Sequence, residues 1–189
     1  MPVIPVNGIR LSYDEAGTGD PVVMIQGTGG GRTVWQLHQV PALTGAALRV
    51  ITLDNRGIPP SSECPEGFTL QDMVGDVAGL IERLDLGPTA VVGTSLGSFV
   101  AQELALARPD LVSRAVLMAT RGRTDFLRAE LTRTEIDLYD SGVRLPDRYA
   151  AVLRAMKSLS PRTLDDDSAM ADQPFQWATA PGTSPSLSR

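Results

Sequence analysis

The chain has 189 residues, 42% hydrophobic and 21% charged, enough for one globular domain with a sizeable core. A net charge of −5 and a pI near 4.9 leave no basic footprint for nucleic acid. The lone Cys64 excludes an intrachain disulfide framework and, with no charged leader in Met1-Pro2-Val3-Ile4-Pro5 and no stretch near membrane-spanning length, sets the expectation of a cytoplasmic protein with no membrane partner.

The chain opens with Val3–Val6 and then Ile9–Tyr13, short alternating runs on either side of Asn7-Gly8, a pattern that predicts a β-hairpin. Gly17-Thr18-Gly19-Asp20 breaks the pattern. The continuous apolar run Pro21–Ile25 then reads as a strand buried on both faces. After it come Gln26-Gly27-Thr28-Gly29-Gly30-Gly31 and a helix expected from about Thr33 to Gln39. A second buried strand, Arg49–Leu53, ends at Asp54-Asn55-Arg56-Gly57, and a Pro- and Ser-rich loop follows from Pro59 to Pro65. Leu70, Met73, Val74, Val77, Leu80, Ile81 and Leu84 then recur at helical spacing until Gly87-Pro88 stops the helix.

The next stretch organises the rest. Ala90-Val91-Val92 runs into Gly93-Thr94-Ser95-Leu96-Gly97, and the chain becomes helical to Arg108-Pro109 before a further strand, Ala115–Met118. Gly-x-Ser-x-Gly between a strand and a helix is the pattern of a nucleophile elbow, a sharp turn that lifts the serine hydroxyl above the sheet. A Cβ at Gly93 or Gly97 would collide where strand and helix cross. The strand–helix alternation predicts a mostly parallel sheet with helices on both faces.

In this order and at these spacings the glycine-rich loop, Asp54-Asn55-Arg56-Gly57, the Gly93–Gly97 pentad and the sixth strand resemble the α/β-hydrolase fold family of the serine-nucleophile type. The resemblance covers Val6–Thr120 closely and 125–164, where the family places a helical lid, more loosely. It implies a three-layer α/β fold. The core would span 1–124 with strands one to six, a lid-like helical segment 125–167, and a disordered tail 168–189 ending in a Pro-, Ser- and Thr-rich stretch.

The same resemblance implies Ser95 as nucleophile, the backbone N–H groups of Leu96 and Thr28 as an oxyanion hole, and Gln26, Gly27, Gly93 and Gly97 as supporting loop residues. Gln26 stands where many family members carry His. The implied chemistry is acyl transfer from an ester, thioester or amide through an acyl-serine. The implied partner is a small acyl substrate, and no cofactor or metal is called for. Epoxide and haloalkane chemistry are disfavoured, because the members that perform it carry Asp at the position of Ser95.

One departure governs the functional reading. The family takes its general base from a histidine after the nucleophile and orients it with an acid. This chain has no histidine after Ser95; its one histidine, His38, lies behind the glycine-rich loop and reads as a partly exposed helix residue. Asp125 stands where some members place the acid, and reads equally as a solvated residue at a helix N-terminus. The general base is therefore unassigned. Three explanations stay open: a portion of a longer hydrolase, a chain that kept the binding half of the fold, or a site completed by another chain. A sheet ending at its sixth strand would expose an apolar edge, so self-association or a complementing chain is expected.

Other patterns are weaker. Gly27-Thr28-Gly29 with Asp54 at a strand end resembles a dinucleotide fingerprint, but Arg32 occupies the third glycine position. Asp54 and Arg56 read as a structural turn in which the Asp accepts local N–H groups. Asp165–Asp167 read as a solvated loop, and Trp35 and Trp177 as packing residues.

Overall fold

The computed structural model describes residues 2–172; Trp177 and most of the expected 168–189 tail lie outside them. These residues form two compact units divided between Gly122 and Arg123.

The first unit is a six-stranded sheet in the order β1-β2-β4-β3-β5-β6. Strand β1 (Val3–Val6) pairs antiparallel with β2 (Ile9–Ala16) across Asn7-Gly8, both at positive φ as a tight hairpin turn demands. Strand β2 pairs antiparallel with β4 (Leu48–Leu53). From there the sheet is parallel, with β3 (Asp20–Ile25) between β4 and β5 (Thr89–Thr94), and β6 (Val112–Met118) at the edge.

Strand β3 is apolar and buried from Val22 to Ile25 because both its faces are covered there. Val23 and Ile25 join the larger core with α2 (Leu70–Arg83) and α3 (Leu96–Ala107), while Val22 and Met24 pack against Trp35 and Val40 on the opposite face. Helix α2 contributes Met73, Val74, Val77, Leu80 and Ile81, all buried; each such side chain stabilises the fold by about 1.5–3 kcal/mol relative to exposure. A capping box sets its start: the Thr69 hydroxyl accepts from the Asp72 N–H, and the Asp72 carboxylate accepts from the Thr69 N–H.

The helix expected over Thr33–Gln39 is instead two pieces, a 3₁₀ turn at Arg32–Trp35 and α1 at Gln39–Gly45. Pro41 explains the division. In a helix running through from Thr33 its ring would meet the carbonyl of Leu37, whereas in the first turn of a new helix neither that carbonyl nor the missing N–H is a problem.

The second unit contains α4 (Phe126–Asp140), α5 (Asp147–Ser158), α6 (Pro161–Leu164) and α7 (Asp167–Asp172). Helix α7 occupies the first residues of the stretch expected to be disordered. No helix among the described residues is long and apolar enough to cross a membrane.

Candidate active site

Ser95 stands between the end of β5 and the start of α3, exposed, with φ 52° and ψ −119°. An L-residue occupies that conformation only under strain, so the surroundings must hold it there. They do so from three sides. The Ser95 N–H donates to the Met118 carbonyl at 3.0 Å. The Ser95 carbonyl accepts from the Ser98 N–H at 3.0 Å and from the Ser98 hydroxyl at 2.5 Å. Close glycine contacts complete the fixing: a Cβ on Gly93 would lie 2.3 Å from the Gly97 carbonyl oxygen, and one on Gly97 would lie 2.2 Å from that of Ile25.

The glycine-rich loop comes up against the same residue. A Cβ on Gly27 would lie 2.9 Å from the Ser95 Cβ and 3.5 Å from its Oγ, so only glycine admits this approach. Thr28, the next residue, is exposed, and its N–H donates to no group among the described residues. Leu96 opens α3, where an N–H has no intrahelical acceptor. The sheet thus brings Ser95, Gly27, Thr28 and Leu96 together at the C-terminal ends of β3 and β5.

The loop is anchored at both ends by the turn after β4. At its start the Asn55 side-chain amide donates to the Gln26 carbonyl at 2.8 Å, and the Gln26 Oε1 accepts from the Gly27 N–H at 2.9 Å. At its end the Arg32 N–H donates to Asp54 Oδ1 at 2.8 Å, and the Arg32 guanidinium pairs with Asp54 and, at 2.6 Å, with Asp14. Asp54 therefore accepts from a residue across the site rather than from its own turn, contrary to the local-turn expectation. Its buried pairing also leaves no carboxylate to hold a ribose, which removes the dinucleotide reading. No local pattern announces Asn55 and Arg32, because Gln26 lies 29 residues from Asn55 and Asp54, Ser12 and Asp14 lie 22, 20 and 18 residues from Arg32; the available signal is an Asn and an Asp immediately after a buried strand.

Arg56 turns away from the loop and binds Asp76 of α2 through two hydrogen bonds of 2.6 Å. Both are buried, and burial pushes the Asp76 carboxyl above the usual carboxylate range against the opposing pull of Arg56. The pair ties the turn after β4 to α2.

The remaining sequence candidates lie in other settings. His38 is exposed and is the residue immediately before α1, with no side-chain capping bond. Asp125, in the second unit, caps α4: its carboxylate accepts from the Arg128 N–H at 2.8 Å. Asp166 accepts from the Ser168 N–H at 3.0 Å, and the described residues hold no cluster of three metal-ligating side chains. A cavity of about 240 Å³ is lined by Asp14, Glu15, Gln36, Val40, Val50 and Thr52 among others, and by no residue of the Ser95 cluster.

Comparison with known proteins agrees with the fold. Residues 20–152 match the family model described as the alpha/beta hydrolase fold. The chain is 55% identical over 164 residues to the "Putative non-heme bromoperoxidase BpoC" of Mycobacterium tuberculosis, a match covering 87% of this chain and 62% of that protein. The crystal structure of the same protein superposes with a TM-score of 0.84 at 53% identity, covering 90% of this chain and 63% of that one. The (E)-2-((N-methylformamido)methylene)succinate hydrolase of Acinetobacter baylyi is 36% identical over 131 residues, 68% of this chain and 49% of its own length. The chain thus spans a little over three fifths of the BpoC relative. On a family match across most of its length and this level of identity, the chain belongs to the α/β-hydrolase fold family.

Proposed function

We propose that the chain carries the nucleophile half of a serine hydrolase, with Ser95 as nucleophile and acyl transfer from an ester, thioester or amide as the reaction. The observation that supports this best is the strained, exposed Ser95, at φ 52°, with Gly27 pressed against it. Strain held in place by so many surrounding contacts is a mark of a functional position. In the proposed mechanism the Ser95 Oγ attacks the acyl carbon and the leaving group departs with the hydroxyl proton. The Thr28 and Leu96 N–H groups stabilise the negative oxygen that forms. Gln26, Asn55, Gly93 and Gly97 hold these donors and the serine in register. The acyl-serine then passes its acyl group to water or another nucleophile.

The step lacking an agent is proton removal. His38 is the only imidazole in the sequence, and it sits exposed before α1. Asp125 serves as a helix cap, and we give it no step. Loss of the base from such a triad removes on the order of a million-fold in turnover, and the oxyanion hole and binding retain roughly a thousand-fold over water. The chain alone is therefore weakly active at most. The same observation favours a second reading, a non-catalytic protein that binds a small acyl compound at this site. An activated aryl ester separates the two. The first reading expects the acyl group to be found on Ser95 by intact mass and peptide mapping and to be absent in Ser95→Ala; a folded protein that takes no acyl group on Ser95 at saturating ester would refute it.

A further inference from the structure

The amides of the glycine-rich loop are unequally employed. Gly27 is buried and Thr28 exposed, two and three residues past the end of β3, where the sheet ladder supplies no acceptor. The Gly27 N–H is nevertheless satisfied, because the side chain of the preceding residue turns back to it: Gln26 Oε1 accepts at 2.9 Å. An N–H can only donate, so this bond fixes the Gln26 amide with its oxygen toward Gly27. Two contacts keep the side chain in place. The Asn55 amide holds the Gln26 backbone carbonyl at 2.8 Å, and a Cβ on Gly30 would lie 2.5 Å from the Gln26 Cγ, so the bare backbone of Gly30 leaves the room that Gln26 occupies. The loop itself closes as a β-turn from Gly27 to Gly30, with the Gly30 N–H donating to the Gly27 carbonyl at 3.2 Å and Gly29, at φ 70°, in the third position. Such a turn uses the carbonyl of its first residue and the N–H of its fourth. The N–H of its second residue, Thr28, is left with no acceptor among the described residues.

We propose that Gln26 is the positioning residue that selects the oxyanion donor of this loop: its side-chain carbonyl takes the Gly27 N–H out of the site and leaves the Thr28 N–H for the developing oxygen. The inference rests on Ser95 as the nucleophile. Gly27 is the loop residue pressed against Ser95, so without Gln26 two successive N–H groups beside the serine would compete for the same oxygen. Two successive amides along a turn do not aim at one point, and a loop free to offer either would have to reorganise during the reaction. Occupying the first one fixes the second. An oxyanion donor already in place is worth about 100–1,000-fold in rate, because no reorganisation is needed when the charge forms. Asn55 and Gly30 belong to the same device, the one by fixing the Gln26 backbone and the other by leaving space for its side chain.

Amide NMR of the chain tests this in two arms, with Gln26→Leu removing the acceptor and Gln26→Glu keeping one. The first arm needs no reaction at Ser95. In the wild type the Gly27 amide should exchange with solvent more slowly than that of Thr28; Gln26→Leu should speed Gly27 exchange by roughly tenfold, the loss of one hydrogen bond, and Gln26→Glu should restore the slow rate. The second arm follows the same amides after a fluorophosphonate has placed a phosphonyl oxygen at Ser95. The Thr28 amide proton should move downfield in the wild type while that of Gly27 stays, and in Gln26→Leu the Gly27 proton should move as well. Gly27 exchange that is unchanged in Gln26→Leu overturns the proposal, because the acceptor is then not Gln26. A wild-type adduct that shifts Gly27 rather than Thr28 overturns it too. Failure to form any adduct on Ser95 counts against the nucleophile reading and with it the selection of a donor, whereas the exchange arm still decides whether Gln26 holds the Gly27 N–H.

Discussion

Replacing Gly97 by alanine is the sharpest structural test of how the Ser95 turn is held. The added Cβ would sit 2.2 Å from the Ile25 carbonyl oxygen, 2.7 Å from its carbon and 2.8 Å from the Gln26 carbonyl oxygen. All three are backbone atoms of the β3 end, so no side chain can swing aside. Ordinary contact requires α3 and β3 to separate by about 1 Å. Overpacking of this kind costs typically 1–3 kcal/mol, and the rigid neighbours place Gly97→Ala at about 3 kcal/mol. For a chain of this size that lowers the melting temperature by about 6–12 °C. Gly45→Ala is the matched control, because a Cβ at this last residue of α1 meets nothing within 4 Å. It is expected to be neutral or to stabilise by up to about 1 kcal/mol. Chemical and thermal unfolding measure both. A Gly97→Ala protein within about 0.5 kcal/mol of wild type, a typical surface-substitution effect, would refute the close-crossing argument.

Three further outcomes follow from the same geometry. Ser95→Gly removes the strain of an L-residue at φ 52° and, after the larger unfolded-state entropy of glycine, should stabilise the fold by about 1 kcal/mol, read as a raised unfolding midpoint. Arg56→Ala leaves the Asp76 carboxylate buried without its cation and should cost about 3–5 kcal/mol in urea unfolding, with partial recovery in the Arg56→Ala/Asp76→Asn double variant. Hydrogen bonds from the Thr69 N–H and hydroxyl hold the Asp72 carboxyl below its ordinary 3.8. A depressed carboxylate stabilises the fold above that value and loses its contribution as pH falls through the lowered one. An NMR titration of Thr69→Ala should show Asp72 moving back up, with a cap loss of about 1 kcal/mol near neutrality.

Much of this structure was legible in the residues, for physical reasons that differ by element. Strand β3 could be read because burial on both faces leaves no polar position in Val22–Ile25. Helix α2 could be read because its apolar residues keep one face and Thr69 with Asp72 mark its start. The Gly93–Gly97 turn was legible because close backbone crossing admits no other residue type. What stayed hidden depends on contacts distant in sequence. Asn55 grips the Gln26 carbonyl, and Arg32 meets both Asp14 and Asp54, through pairings that no local pattern announces. The break before α1 is hidden in the apolar spacing because it depends on Pro41, which fits only the first turn of a new helix.

The measurement that bears most directly on the central claim is the site and rate of phosphonylation by a fluorophosphonate probe, followed by intact mass and peptide mapping. Ser95 as an accessible, fold-positioned nucleophile without its own base predicts a single adduct on Ser95. The adduct should form slowly, accelerate with added imidazole and disappear in Ser95→Ala. An adduct on another residue, or labelling that persists in Ser95→Ala, would contradict the assignment, as would a folded protein that takes no label even with imidazole present.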